Sequence, residues 1–193
     1  SAGVTYVTFS EYFIYSIILL SSFALTGVLF LFFMKKDISR ELPPFFLPNT
    51  GNIGIPMCLF AYGTLGMGVA SAISSLVVVL HFTVNIFLSK KKFDLNTIIK
   101  SPTIYAVIIS ILFLYFEFKM PVVVLNTVML LGYTMIVLIL MSLGISLTQL
   151  KVFSLKSSII SSIGRVVIGP IIGFTLIKFF NLSGFGAGVI LIQ

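Results

Sequence analysis

The chain has 193 residues, of which 59% are hydrophobic and only 9% are charged, and its mean hydropathy is +1.20. Soluble globular proteins carry charge on about a quarter of their residues, so this composition excludes a water-soluble domain and predicts an integral membrane protein. The formal net charge is +7, and the lone cysteine, Cys58, excludes a disulfide within the chain.

Long apolar runs divide the chain into predicted transmembrane helices. Crossing about 30 Å of hydrocarbon takes roughly 20 helical residues, so this length accommodates about six to seven crossings. The runs are too long for the roughly ten-residue strands of a membrane barrel, and we therefore predict an all-α fold. The runs cover residues 12–33, 43–62, 66–89, 102–118, 122–147 and 157–180, and a seventh begins near Gly186.

The second run contains the strongest interruption of a helix. Pro48 and Pro56 enclose Gly51 and Gly54 within residues 48–56. Proline removes an intrahelical hydrogen bond, and glycine favours unusual dihedral angles. A single proline usually produces a kink that neighbouring helices repair, whereas this cluster predicts a broken helix. Backbone freed at membrane depth persists only where protein, water or a ligand satisfies its polar groups, so the break is a candidate binding site.

The break also brings neutral polar side chains into the membrane. Asn49, Thr50 and Asn52 offer hydrogen-bond donors and acceptors, and a broken helix exposes the dipole ends of its two halves. Such a site can hold an anion without a buried cation. We therefore predict that substrate binds at Pro48, Asn49, Thr50, Gly51, Asn52, Gly54 and Pro56.

The third run places His81 and Asn85 one turn apart on one helix face. His81 is the chain's single histidine. At membrane depth a histidine can relay protons that are coupled to transport, because its charge changes near neutral pH. Alternatively, a neutral imidazole that donates to a carbonyl of the next helix satisfies both groups and has a structural role alone.

The later runs differ in polarity. Residues 102–147 carry few polar side chains and are typical of scaffold helices, and the charged linker 90–101 before them marks the best boundary between two bundles. The loop 148–156 leads into the sixth run, in which Arg165 stands roughly 12 Å from the helix start. Arg165 either extends to the lipid headgroups or faces a cavity and attracts an acidic substrate.

Basic residues mark alternate connections between the runs. Residues 34–42, 89–101 and 148–156 hold nine of the twelve lysines and arginines. Short cytoplasmic loops are rich in Lys and Arg, which predicts that these segments face the cytoplasm of a plasma (inner) membrane and that the N-terminus lies outside. The net charge then reflects orientation and contact with anionic lipid headgroups, and no nucleic-acid partner is expected.

Several motifs resemble the auxin efflux carrier family, which includes PIN-type plant carriers and prokaryotic malate and malonate permease-like proteins. The most specific motif is Leu47-Pro48-Asn49-Thr50, followed by Gly54-Ile55-Pro56 and Tyr62-Gly63. Three weaker motifs follow in the family's order: Ser101-Pro102-Thr103-Ile104-Tyr105-Ala106, Ser142-Leu143-Gly144-Ile145-Ser146-Leu147, and the run from Arg165 to Pro170.

The resemblance implies a carrier fold of about ten helices in two inverted repeats, similar to bile-acid and sodium-proton carriers, with one broken crossover helix in each repeat. It assigns residues 11–89 to a transport unit, 102–147 to scaffold helices and 157–193 to the start of a second transport unit. We therefore expect the chain to correspond to a fragment without the second break. The resemblance also implies a homodimer through the scaffold helices.

These observations predict a secondary transporter that moves a small organic anion, such as an auxin-like carboxylate or a dicarboxylate, by alternating access. Transport would be driven by the membrane potential or by a coupled proton or sodium ion, without a cofactor. An enzyme is not expected, because all five carboxylates lie in predicted loops and one His with one Cys cannot form a zinc site. The alternative is a channel or a transporter-like membrane receptor, since broken helices also line pores.

Overall fold

The computed structural model describes residues 5–85, 87, 99–149 and 155–193. Every regular element among these residues is helical, which confirms the predicted all-α fold. Most of the linker 90–101 and residues 150–154 of the loop 148–156 lie outside the described residues. The α-helices are α1 (Tyr6–Phe33), α2 (Ile38–Phe46), α3 (Ile55–Leu80), α4 (Pro102–Tyr115), α5 (Val122–Thr148), α6 (Leu155–Phe179) and α7 (Gly184–Ile192). Two π-helical turns, Thr50–Gly54 and His81–Asn85, flank α3.

Length and composition allow four helical stretches of the described chain to cross a membrane. These stretches are Tyr6–Phe33, Glu41–Val84, Val122–Thr148 and Ser158–Phe179. The second has 44 residues, which would span about 66 Å as a straight helix, roughly twice the hydrocarbon thickness. A straight helix of this length would be too long for one crossing, so we expect the chain to reverse direction within it.

The chain reverses direction at Gly63, within α3. Gly63 has φ +65° and ψ −156°, a conformation that is essentially restricted to glycine. The side-chain amide of Gln193 lies 3.4 Å from Cys58 Sγ and 3.5 Å from Ser74 Oγ. A straight helix would separate Cys58 from Ser74 by about 24 Å, so the first arm of α3 (55–62) folds back against the second arm (64–80). The two predicted runs that meet at this point are therefore separate helical segments.

Five helices, α1, α2, α3, α6 and α7, form one bundle around two buried clusters. The first cluster joins both arms of α3 to α7 and α1, and its buried members are Tyr12, Cys58, Val69, Ala70, Ile73, Val189 and Ile190. The second joins α1 to α2 through Phe23, Leu31, Leu42, Phe45, Phe46 and Leu47, and Ile168 and Ile172 of α6 pack against it. These clusters fix the positions of α2, α3 and α6 around the break.

Glycines permit aromatic side chains to reach neighbouring helices at close range. A methyl group added at Gly186 would coincide with the hydroxyl of Tyr12, and one added at Gly188 would coincide with the hydroxyl of Tyr62. Close approach through small residues is the usual basis of helix association in membranes, because lipid tails are as apolar as the side chains they compete with. The glycines of α7 thus set how closely it approaches α1 and α3.

The remaining helices, α4 and α5, lie at the side of the bundle. No residue of α4 is buried, and Ile136 is the one buried residue of α5. α4 contacts α3, and α5 contacts the π-helical turn Thr50–Gly54. These helices correspond to the predicted scaffold segment 102–147.

Candidate functional site

The predicted break in the second run is present between α2 and the first π-helical turn. α2 ends at Phe46, and the backbone then leaves helical geometry, with φ −88° and ψ 104° at Leu47 and φ −87° and ψ 55° at Asn49. Helical structure resumes at Thr50. Residues 47–49 therefore separate two half-helices, and Pro48 lies in the middle of the gap.

The gap is shorter than the predicted segment 48–56. Residues 50–54 are helical, and the N–H groups of Ile53 and Gly54 donate to the carbonyl of Asn49 at 3.1 and 3.3 Å. Pro56 lies within the helical segment that begins at Thr50, because the N–H of Ile55 donates to the carbonyl of Thr50 and joins the π-helical turn to α3. Pro56 lacks the N–H that would continue the ladder of intrahelical bonds, but the backbone stays helical around it, so the gap is confined to residues 47–49.

The π-helical turn presents hydrogen-bond donors at the gap. The N–H groups of Thr50, Gly51 and Asn52 precede the first bonds of the turn, so they have no intrahelical acceptor, and this end of the half-helix carries positive partial charge. Thr50 is only 2% exposed, and its Oγ1 has no hydrogen-bond partner in the part of the chain that the structure describes. Buried hydroxyls are usually bonded, so this one is available to another group.

Arg165 of α6 binds the other side of the gap. Its Nη1 donates to the carbonyl of Pro44 at 2.7 Å, and its Nη2 donates to the carbonyl of Leu47 at 3.1 Å. In a continuous helix the Pro44 carbonyl would accept the N–H of residue 48, but Pro48 has none. Arg165 supplies the donor that the proline lacks, in a geometry that places its charge at the break.

A cavity of about 470 Å³ lies between the break, α1, α6 and α7. Its polar lining side chains include Asn49, Arg165 and Gln193. Apolar residues form most of the remaining wall, among them Leu19, Leu20, Phe23, Ile53, Val166, Ile172, Ile190 and Leu191. This size lies within the range of small-molecule pockets, and a few convergent polar groups in an apolar wall are typical of such pockets.

The structure brings together only some of the predicted site residues. Pro48, Asn49, Gly54 and Arg165 line the cavity. The other residues of the break are not among the cavity-lining residues; of these, Thr50 and Pro56 are buried, Gly51 is half-buried and Asn52 is exposed. His81 is exposed at the start of the second π-helical turn, and Asn85 is the last residue of that turn.

Sequence reasoning missed Gln193 as a lining residue. Its Nε2 donates to Cys58 Sγ, Ser74 Oγ donates to its Oε1, and an added Cβ at Gly54 would lie 2.5 Å from its Nε2. One signal was present, since Gln193 is a single amide that follows a wholly apolar stretch. Gly169, Pro170 and Gly173 of α6 also line the cavity.

Comparisons with known proteins agree with a transport role. The model of a family described as membrane transport protein matches residues 85–193. An uncharacterized transporter of Methanocaldococcus jannaschii is 29% identical over 157 residues, which cover 76% of this chain and 51% of that protein. The chain thus spans about half the length of this curated relative, and no solved structure matches it. Because the family model matches more than half of the residues, the chain belongs to the membrane transport protein family, as its resemblance to auxin efflux carriers predicted.

Proposed function

We propose that the protein is a secondary transporter that carries a small organic anion across the membrane by alternating access. The observation that supports this most directly is one cavity in which a helix break, an amide and a guanidinium meet, at Pro48, Asn49 and Arg165. Transporters of this kind use the ends of broken helices to bind charged groups near the middle of the bilayer.

The chemistry of the cavity favours an anion. Asn49 and Arg165 offer N–H donors to the cavity, and the start of the π-helical turn contributes positive partial charge. No aspartate or glutamate is among the lining residues that the structure describes. A carboxylate accepts several hydrogen bonds, so a mono- or dicarboxylate complements this set of donors.

The apolar wall suits the rest of such a molecule. Phe23 and Leu20 face the cavity from α1, and Ile172 and Ile190 face it from α6 and α7. A ligand with a carboxylate at one end and an apolar body, or a short dicarboxylate, fits within about 470 Å³. An auxin-like acid, malate and malonate all belong to this class.

We further propose that the bundle moves against α4 and α5 so that the cavity opens to each side in turn. The membrane potential acting on the charge of the anion, or a coupled proton or sodium ion, provides the driving force. The exposed apolar surfaces of α4 and α5 support their assignment as scaffold helices that meet a second copy in a homodimer.

The basic segments 34–42, 89–101 and 148–156 face the cytoplasm of the plasma membrane in this proposal.

Uptake into proteoliposomes tests the proposal with the full-length protein. Radiolabelled malonate, malate and indole-3-acetate serve as probes, and the variant combines Asn49→Ala with Asn52→Ala. We expect saturable uptake of at least one acid, and a loss of about tenfold or more in the variant, because charged ligands lose strong hydrogen bonds. Asn126→Ala, at an exposed position of α5, is the matched control and should transport normally.

The outcomes separate the parts of the proposal. Unchanged uptake in the double variant would refute the assignment of the break as the binding site. Absence of uptake of all three acids by the wild type would refute an organic anion as substrate. Acceleration of labelled uptake by unlabelled acid on the opposite side identifies a carrier, whereas flux that does not saturate identifies a channel.

A further inference from the structure

The bond from Arg165 to Pro44 joins residues 121 positions apart in the chain. It exists because two features of the sequence coincide: proline at 48 leaves the Pro44 carbonyl without its helical donor, and a guanidinium from α6 reaches the same point. The second bond, to Leu47, satisfies a carbonyl of the non-helical gap. Arg165 therefore donates to carbonyls that backbone N–H groups would satisfy in a continuous helix, while the helix remains broken.

The charge of Arg165 is not matched by these partners. Its hydrogen bonds within residues 5–85, 99–149 and 155–193 go to the carbonyls of Pro44 and Leu47, which are polar but uncharged. Arg165 is half-buried and lies within the candidate membrane span Ser158–Phe179. A charge away from water is unfavourable unless a counter-charge or hydrogen bonds compensate for it, so this position favours an anion nearby.

The guanidinium retains donors for such an anion. It has five N–H groups, of which two serve the carbonyls, and the residue lines the same cavity as Asn49. A carboxylate can accept two parallel bonds from a guanidinium, whereas a lysine ammonium offers only a point charge. The location and the remaining donors are thus both suited to a carboxylate.

We propose that Arg165 has two separable roles: its N–H groups hold the end of α2 in place of the donor that Pro48 lacks, and its charge makes the cavity select carboxylates. The second role rests on the proposed transport of an organic anion, whereas the first does not. Arg165 is thus a positioning residue for the broken helix and a specificity-determining residue for the substrate.

Substitutions at Arg165 in the full-length protein separate charge from hydrogen bonding. Arg165→Gln keeps N–H donors and removes the charge, so we expect the KM for malonate to rise about 10- to 100-fold, with a smaller change in thermal midpoint. Arg165→Lys keeps the charge but cannot donate to both carbonyls from a planar guanidinium. Its thermal midpoint should therefore fall, while its KM for malonate should rise less than that of Arg165→Gln. Lys178→Gln removes the same charge from an exposed position of the same helix and should change neither quantity.

A double-mutant cycle with Pro48 tests the donor role without any substrate. Pro48→Ala restores an N–H at residue 48, so it should raise the thermal midpoint more in the Arg165→Ala background than in the wild type, and it should leave the raised KM unrepaired. An identical effect of Pro48→Ala in both backgrounds would overturn the donor role. If Arg165→Ala does not fold, the same cycle is run with Arg165→Lys.

The charge role has its own decisive result. A wild-type KM for malonate in Arg165→Gln would overturn it while leaving the proposed transport intact. If the wild type neither transports nor binds malonate, malate or indole-3-acetate, the proposed function fails together with the charge role. The cycle with Pro48 then still decides whether Arg165 holds the end of α2.

Discussion

The second arm of α3 and the helix α5 are both apolar and both close to the length of a membrane crossing. They differ in burial, because the arm of α3 packs against other helices whereas α5 is exposed. The second arm of α3 has seven buried residues, and several of them are small: Gly66, Ala70, Ala72 and Ser74. α5 has Ile136 as its one buried residue, and a methyl group added at Gly132 or Gly144 would meet nothing within 4 Å. Hydropathy therefore identifies both helices as membrane segments and says nothing about which of them packs.

The difference in packing between α3 and α5 follows from the lipid environment. In a bilayer the lipid tails are as apolar as leucine, so burying a leucine against protein gains little, and close contact between backbones decides which helices associate. Small residues permit that contact in α3 and α7, whereas the large side chains of α5 face outward, with Val123 77% exposed. The packed bundle and the helices α4 and α5 should consequently respond very differently to the same substitution.

Removal of buried volume should have the largest effect. Ile73, at 2% exposure, lies in the cluster that joins α3 to α7, and Ile73→Ala should destabilise the bundle by about 2–5 kcal/mol because a cavity remains. Ile108→Ala, on the exposed surface of α4, should change stability by about 0.5 kcal/mol or less. Unfolding in SDS, followed by circular dichroism, measures the change in stability for both variants. Equal changes would contradict the expected difference between the bundle and α4.

Added volume should have the next largest effect. Gly188→Ala places a methyl group on the Tyr62 hydroxyl and should destabilise by about 1–3 kcal/mol through overpacking. Gly132→Ala introduces the same methyl group into open space on α5 and should be neutral or slightly stabilising. Tyr62→Phe removes the overlapping hydroxyl, so the combination with Gly188→Ala should recover part of the loss. A failure to recover would show that the contact with Tyr62 is not the cause.

Loss of one polar contact should have the smallest effect. Ser74 Oγ lies 3.5 Å from Gln193 Oε1, which is a long hydrogen bond, so Ser74→Ala should destabilise by about 0.6 kcal/mol, the typical value within membranes. The control is Ser110→Ala in α4, where the exposed hydroxyl donates to the carbonyl of Ala106 in its own helix. A loss of several kcal/mol in Ser74→Ala alone would mean that the amide of Gln193 organises the bundle.

The sequence predicts the features that depend on local chemistry. Pro48 removes a donor wherever it stands in a helix, so the break next to it was predictable, and the gap between the second and third apolar runs coincides with the reversal at Gly63. Pro56 differs from Pro48 because the backbone stays helical around it, from Thr50 through the π-helical turn into α3. The π-helical turn itself was not predictable, because residues 50–54 carry no distinct pattern for it.

Features that join distant parts of the chain were not predictable in the same way. Arg165 stands out in the sequence as a charge within an apolar run, but its partners Pro44 and Leu47 are 121 and 118 residues away, and no pattern of spacing connects them. The same holds for Gln193, whose contacts with Cys58 and Ser74 require both the reversal at Gly63 and the packing of α7. Periodicity describes a helix, whereas the cavity results from how helices meet.

The reversal at Gly63 also fixes the depth of the break. α2, with nine residues, rises about 13 Å, and residues 50–62 rise about 19 Å, so the two half-helices together match a hydrocarbon layer of about 30 Å. An anion at Asn49 would then stand near the electrical midpoint of the membrane. Entry and exit of each charge would each sense roughly half of the voltage, about 1 kcal/mol per 100 mV. Both steps of the cycle should therefore be voltage-dependent to a similar degree.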